Sequence, residues 1–377
     1  MIIGVILFVL ALVVPDFYIW DAWLQPNLSS GWLALWILPT AAILFAFFAA
    51  NRGWAHNTFM RMLFAMVLLL AVPKLIFTLL APWAGWQTGV AGAAIIVALL
   101  AYGMLWGWRR IITRQAVCTS PLLPRSFDGY RILQLSDLHI GTFLGNPKFI
   151  EKLVRLVNAE KPDVIVFTGD LVNVQATEVL PFIHMLGQMH APDGIYSVMG
   201  NHDYCEYGRD HSALNIKRNQ RVLEYIEEKI GWHLLLNSHV LISRQSDGTD
   251  KESIALIGVE NISKPPFPNY GNLGEAMKGL PAGMFKVLLS HDPTHWRLGV
   301  LHQTDIALTL SGHTHAGQIK IGKFSPAKWA YHEWGGKYTE GGSMLYVSLG
   351  LGGTMPFRFG AWPEINIITL HSAKRAE

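Results

Sequence analysis

The first 115 residues constrain everything else about this chain, because they carry almost no charge. The chain has 377 residues, with 30 Lys and Arg and 27 Asp and Glu, yet only Asp16, Asp21, Arg52, Arg61, Lys74, Arg109, Arg110 and Arg114 lie in that first third. A stretch so poor in charge reads as lipid-embedded. Leu33 to Ala50 is an uncharged apolar run. With its flanks it makes about 19 residues, roughly 28 Å of helix, the thickness of the hydrocarbon core. Val90 to Trp108 is a second such run, closed by Arg109 and Arg110, and Met62 to Ala81 is a third, interrupted by Pro73 and Lys74. Ile2 to Val14 is shorter and reaches across, with Phe17 to Trp20, if tilted. A cleaved signal peptide is its competing reading. Against cleavage, no Lys or Arg precedes the run, and Pro15-Asp16 follows it instead of a small-residue site. Four spans are expected over residues 1–115.

Orientation follows from the cationic loops, which are retained on the cytoplasmic side. The loops near 15–31 and 82–88 hold no Lys or Arg, the loop near 51–61 holds Arg52 and Arg61, and Arg109, Arg110 and Arg114 follow the last span. The expectation is an integral multi-pass protein of the inner or plasma membrane with both termini inside. Trp20, Trp23, Trp32, Trp54, Trp83, Trp86, Trp106 and Trp108 fall where interfacial anchors belong. Lys74 reads as an ammonium snorkelling towards the outer face, with a head-group contact as the alternative. No Asp, Glu or His is expected at midplane depth to mark a transport path.

Residues 116–127, with Pro121 and Pro124, read as a short linker, and 128–377 as the catalytic domain. There short apolar runs alternate with amphipathic stretches, the pattern of one α/β domain. Strands are expected at Arg131 to Ser136, Val164 to Thr168, Ile195 to Met199, His233 to Ile242, Ser253 to Val259, Lys286 to Ser290, Ile306 to Leu310, Met344 to Ser348 and Ile365 to Leu370. Helices are expected at Pro147 to Ala159, Glu178 to Met189 and Asn219 to Ile230. Six of the cationic and two of the anionic residues lie before 116, which leaves the remainder with a balance of −1. No basic field exists there to collect nucleic acid. Two cysteines, Cys118 and Cys205, exclude a disulfide framework and a thiolate-ligated metal.

Five polar clusters each follow an expected strand, where α/β folds place their sites. They are Ser136-Asp137-Leu138-His139, Thr168-Gly169-Asp170, Gly200-Asn201-His202-Asp203, Ser290-His291-Asp292 and Ser311-Gly312-His313-Thr314-His315. Any one of them could be a turn or a cap. Together they set four His, one Asn and two Asp of metal-ligand type on one rim, which packing alone does not call for.

In these blocks and their order the sequence resembles the calcineurin-like metallophosphoesterase superfamily, over about Arg131 to Leu370. Its run from Gly312 to Gln318, with Tyr346 to Gly352 and Pro363-Glu364-Ile365, is similar to the membrane-associated branch that includes transmembrane metallophosphoesterases and lipid-precursor hydrolases. The resemblance implies a four-layer αββα sandwich. It further implies that Asp137, His139 and His315 hold one metal ion, that Asn201, His291 and His313 hold a second, and that Asp170 bridges them. Such imidazole, carboxylate and amide donors suit Mn²⁺ first, with Fe or Zn²⁺ as alternatives, and a hydroxide shared by the two ions would be the nucleophile. His202, not needed as a ligand, is expected to be the general acid, with Asp203 orienting or charge-stabilising its ring. Asp292 reads as a weaker case of the same kind or as a turn cap, Arg358 as a phosphate contact or a solvated side chain, and Asn173 has no assigned role. Tyr204 to Arg221, with Tyr207, Arg209, His211, Lys217 and Arg218, reads as a solvated helix face or as a substrate lid on an anionic membrane.

The function expected from these residues is hydrolysis of a phosphodiester or pyrophosphate bond, with a lipid-linked or nucleotide-lipid substrate at the cytoplasmic face. The alternative is a multi-spanning transporter or sensor whose soluble domain binds a phosphorylated ligand without cleaving it. That reading predicts degenerate ligands, and none of the blocks is degenerate. A nuclease is disfavoured by the −1 balance.

Overall fold

In a computed structural model of the chain, described over residues 2–51, 57–208, 210, 212–246 and 251–373, two compact units divide at Gly107 and Trp108. The first unit is helical. Helix α1 (Ile2–Ile19) runs on through a π-helical turn, Trp20–Leu24, and α2 spans Trp32–Asn51. Helix α3 (Asn57–Met66) joins α4 (Val72–Ala84) through a second π turn, Val67–Ala71, and α5 is Trp86–Leu105. Four segments, Gly4–Leu24, Trp32–Ala49, Arg61–Ala84 and Trp86–Arg109, are long and apolar enough to cross a membrane.

Lys74 does not snorkel. Its Nζ lies 2.6 Å from Asp16 Oδ1, 3.4 Å from Thr40 Oγ1 and 4.5 Å above the Trp36 ring. Asp16, Thr40 and Lys74 all sit near the middle of their spans, each directly after a proline. The expectation of no acidic group at that depth therefore fails. The first span extends through Trp20–Leu24, beyond its apolar run, and so takes Asp16 inside, where the ammonium and the carboxylate neutralise one another. Trp32, Trp83, Trp86 and Trp106 are exposed, whereas Trp20 is buried. Trp108 is not an interfacial anchor: it stacks on Phe143 in the core of the second unit. Arg52 and Trp54 lie outside the described residues.

The second unit is built on two six-stranded mixed sheets. The first, in spatial order, comprises β1 (Ile112–Ser120), β12 (Glu364–Ser372), β2 (Arg131–Leu135), β3 (Val164–Phe167), β4 (Ile195–Ser197) and β5 (His233–Leu234). The second comprises β10 (Gly336–Glu340), β11 (Ser343–Val347), β9 (Leu308–Ser311), β8 (Lys286–Leu289), β7 (Lys251–Gly258) and β6 (Ser238–Gln245).

Alternation along the strands makes the layers. Leu133, Leu135, Ile165 and Phe167 pack outward with α6 (Pro147–Ala159) and with α8 (Ala213–Lys229), which follows the one-turn α7 (Ile183–Leu186). Ile132, Val164 and Val166 face the other way and meet Leu256, Val287, Leu289, Leu308 and Leu310 of the second sheet. Ile257, Leu288 and Leu345 bury the far face of that sheet, against Ala276 of the one-turn α9 (Leu273–Ala276) and Trp296. The result is the expected αββα arrangement. In α6 the spacing predicts a buried stripe of Phe149, Ile150, Leu153, Leu156 and Val157; four of these are buried together with Val154, while Leu156 is half-buried at the edge of the stripe.

The stretch expected as a linker, 116–127, is structured. It carries the second half of β1, paired in parallel with β12, and a 3₁₀ turn, Arg125–Phe127, that buries Phe127. As an edge strand β1 is mostly exposed, so it has no hydrophobic run to reveal it. Arg114 belongs to this strand, 3.8 Å from Glu364.

Candidate functional site

Asp137 follows β2, Asp170 follows β3, and Asn201 lies just beyond β4, all in the first sheet; His291 follows β8 and His313 follows β9 in the second. Within each sheet these strands run parallel, so their C-terminal ends open on the same side. The chain must turn sharply there to bring side chains back over the strand ends. Asp137, His139, Asp170, His313 and His315 all hold positive φ, five of the eleven non-glycine residues that do so among the described residues. Backbone strain of this kind gathers where function over-determines the geometry. Two glycines make room. A Cβ on Gly312 would collide with Ser136 and with the Asp137 carboxylate, and one on Gly200 with Asp170.

The seven residues expected as ligands converge. Asp137, His139, Asp170 and His315 each bring a donor atom within 4.8 Å of the others, and Asp170, His291 and His313 do the same. Asp170 belongs to both groups, with Oδ2 at 3.5 Å from His139 Nε2 and 3.2 Å from His291 Nε2. His139 and His315 face each other through Nε2 at 3.2 Å, and His315 Nε2 is 3.3 Å from Asp137 Oδ1. On the other side His313 Nδ1 is 2.8 Å from Asn201 Oδ1 and 3.3 Å from His291 Nε2. The outer ring atoms are tied down: His291 Nδ1 meets the Thr168 carbonyl at 2.7 Å, and His313 Nε2 meets the Tyr331 hydroxyl at 2.7 Å. These contacts aim the remaining nitrogens inward.

The electrostatics fit cations. Burial holds the His139 imidazole down to about 3 and that of His313 to about 4, and it holds His315 well below its ordinary value, so all three offer lone pairs. Burial raises Asp137 to about 6, with the neighbouring Asp170 charge adding to it. Burial alone would raise Asp170 too, yet His291 and His202 hold it well below the usual carboxylate range. His291 is driven to about 10 although burial opposes its charge, because Asp170 and Asp137 lie against it. The cluster thus draws a proton onto His291 to offset two buried carboxylates. Divalent ions would supply that compensation directly, and this donor set is one they accept.

His202 stands beside this centre without joining either group. Its Nδ1 is 2.7 Å from the Asn173 carbonyl, which leaves Nε2 as its other ring nitrogen, and its ring lies edge-on to His139 at 4.7 Å. Asp203 does not orient that ring. Its two oxygens accept the backbone N–H groups of Asp170 (2.7 Å), Leu171 (2.8 Å), Val172 (3.1 Å) and Gly200 (2.9 Å), donors that the tight turns after β3 and β4 would otherwise leave buried and unsatisfied. Asn173, given no role from sequence, is the residue that holds the imidazole, and it does so through its backbone, which leaves no signature in residue type.

Arg358 is neither solvated nor aimed at a phosphate. It is buried, donates to the carbonyls of Leu349 (2.5 Å), Ala361 (3.0 Å) and Gly352, and reaches His315 Nδ1 at 3.0 Å. Asp292 caps its turn by accepting the Thr294 N–H at 2.8 Å. Of the basic segment, Lys217, Arg218 and Arg221 are exposed on α8, Tyr204 is fully buried, and the Tyr207 ring lies tilted against His202 with centroids 4.4 Å apart. Arg209 and His211 lie outside the described residues. A cavity of about 330 Å³ opens over the centre, and Phe267 and Tyr331 form part of its wall. Both come from irregular segments without a motif, so nothing in residue type or spacing marks them.

Residues 130–317 match the family described as calcineurin-like phosphoesterase. The chain is 31% identical over 303 residues to the uncharacterized metallophosphoesterase YkuE of Bacillus subtilis, a match covering 75% of this chain and 96% of that one. It is 31% identical over 240 residues to the transmembrane protein with metallophosphoesterase domain of Danio rerio, covering 60% of this chain and half the length of that relative. It is 27% identical over 323 residues to UDP-2,3-diacylglucosamine pyrophosphatase LpxG of Chlamydia trachomatis, covering 72% of this chain and 95% of that one.

Proposed function

The chain belongs to the calcineurin-like phosphoesterase family, and from that premise we propose a membrane-anchored hydrolase that cleaves a phosphodiester or pyrophosphate bond in a lipid-linked or nucleotide-lipid substrate at the cytoplasmic face. The observation that carries the reading is the sharing of Asp170 between two groups of donors drawn from the strand ends of both sheets. In this reading Asp137, His139 and His315 hold one divalent ion, Asn201, His291 and His313 a second, and Asp170 serves both. Bound there, such ions lower the pKa of water towards neutrality and neutralise phosphoryl oxygens. Manganese is the occupant tested first, and the same nitrogen and oxygen donors accept Fe or Zn²⁺.

The chain's own residues do the rest. With its Nδ1–H donated to the Asn173 carbonyl, His202 would act as the general acid in its imidazolium form, giving the Nε2 proton to the departing oxygen and remaining as the neutral Nδ1–H ring. Asp203 is a positioning residue, since it fixes the turns that carry Asp170 and Asn201. The similarity to LpxG supports a substrate with a lipid-bearing diphosphate, and the four apolar helices support a site kept close to a bilayer.

The test is hydrolysis by the detergent-solubilised full chain of a panel of phosphodiesters, phosphomonoesters and nucleotide-lipids with Mn²⁺, alongside metal content measured by elemental analysis. Chelation should silence activity and restored Mn²⁺ should return it. Hydrolysis that survives a chelator, or a purified chain that takes up no transition ion, defeats the reading. For orientation, a C-terminal reporter active only outside the cytoplasm should stay silent.

A further inference from the structure

The segment from Gln318 to His332 contains Lys320, Lys323 and Lys328 and no acidic residue. It departs from the metal centre at one end, just after His315, and returns to it at the other, where Tyr331 meets His313. Between those anchors it shows water what a soluble protein hides. Ile321 is 59% exposed, Phe324 45% and Trp329 80%, with Lys323 and Lys328 exposed among them.

This exposure is built in. Ile321 and Phe324 exchange backbone hydrogen bonds at 2.9 and 3.0 Å, closing a tight turn over Gly322 and Lys323. Ser325 is buried, donates to the Ala316 carbonyl at 2.5 Å and accepts the Ala327 N–H at 3.1 Å, pinning the 3₁₀ turn Pro326–Trp329 beneath the exposed side chains. The Phe324 and Trp329 rings meet edge to face at 5.8 Å. Held this way, the three apolar side chains cannot fold back into the core.

We propose that Ile321, Phe324 and Trp329, flanked by Lys323 and Lys328, form a docking loop that inserts into an anionic bilayer surface beside the catalytic cavity. Rigid apolar and aromatic side chains among lysines are what an interfacial lipid-binding element needs: the rings enter the head-group boundary and the ammonium groups meet the lipid phosphates. The bilayer is the occupant the chain itself argues for. Six residues separate α5 from β1, so the loop's unit is tethered to apolar helices by at most roughly 20 Å of chain. The inference is independent of which phosphate compound is cleaved.

The experiment uses the full chain in nanodiscs of phosphatidylcholine with or without phosphatidylglycerol. An environment-sensitive dye is attached at Ala330→Cys, an exposed position that leaves every lysine in place; the native Cys118 and Cys205 are buried. A second labelled variant, Lys278→Cys, serves as the exposed control. In anionic discs the Ala330→Cys dye should be quenched several-fold more by lipid-borne spin labels than the control and be shielded from aqueous iodide. Ile321→Ser/Phe324→Ser/Trp329→Ser should abolish that difference while leaving the rate on a water-soluble diester unchanged. If that variant does not fold, Lys323→Glu/Lys328→Glu, confined to exposed side chains, should abolish it equally. A dye that stays open to iodide in anionic discs overturns the proposal, as does equal lipid quenching with and without phosphatidylglycerol. A dye already shielded from iodide in discs of phosphatidylcholine alone, which would mark a protein contact, overturns it too.

Discussion

In the helical unit Lys74 meets Asp16 at 2.6 Å with Thr40 beside it, so one cation answers one anion. In the catalytic unit Asp137 and Asp170 are equally buried, but around them stand imidazoles, and the neighbouring Arg358 spends its donors on backbone carbonyls and His315. Both clusters are costly to bury: the first is closed by direct contact of a permanent cation with its anion, whereas the second meets its carboxylates with imidazoles that become charged only by taking up a proton. That difference separates a charge cluster that holds helices together from one that is incomplete until ions arrive.

The largest effect should come from removing the residue common to both metal groups. Asp170→Asn takes one charge from each group and should reduce hydrolysis to background, a loss of at least roughly 10²–10³-fold, together with most of the bound metal. Full metal occupancy in an inactive Asp170→Asn enzyme would break the comparison, because the centre would then not depend on its shared carboxylate.

His202→Ala should cost less, about 10²-fold in kcat on a substrate with an alkyl or lipid alcohol leaving group, with metal content unchanged. With p-nitrophenolate as leaving group, which departs without a proton, most of that loss should vanish. A deficit of equal size on both substrates would remove His202 from proton transfer and place it in positioning.

The mirror experiment in the helical unit is Asp16→Asn. It strands Lys74 in an apolar surrounding and should cost about 3–5 kcal/mol, seen as a lowered Tm in detergent, while the folded fraction still hydrolyses a soluble diester normally. Adding Lys74→Met should return most of the stability. Asp16→Asn without a change in Tm would mean that water reaches the pair and that the cluster is not the buried structural device its geometry describes.

How much of this was legible beforehand follows from what each feature looks like in one dimension. The seven donors converge as the motifs imply, because each is fixed by residue type at the end of a strand whose hydrophobic run is easy to see. Strand β1 escaped notice because an exposed edge strand such as Thr113 to Gln115 has no such run. Asp16 looked like a loop residue because the π turn Trp20–Leu24 lengthens its span beyond the apolar stretch. The Asp203 carboxylate departs from expectation for a different reason: sequence adjacency to His202 suggests a side-chain partner, but the nearest unsatisfied donors are backbone N–H groups, which no sequence displays.

The last prediction concerns a carboxylate that lies between the two extremes of compensation. Glu227 on α8 is buried with a hydrogen bond from Ser197 and, among the described residues, no cationic partner, and burial, reinforced by the Asp203 charge, raises its carboxyl to about 8 from an ordinary 4.5. The folded chain therefore keeps a proton that the unfolded chain has released anywhere between about pH 4.5 and 8. Stability from this group is full below that window and declines as pH rises through it, by up to about 1.4 kcal/mol per pH unit, until both states are ionised. Glu227→Gln keeps the shape without the titration. Its Tm should match the parent at pH 5, exceed it at pH 8, and fall less steeply between; parallel curves would mean that Glu227 is ionised in the fold and that the polar pocket around Ser197 is wetter than its burial implies.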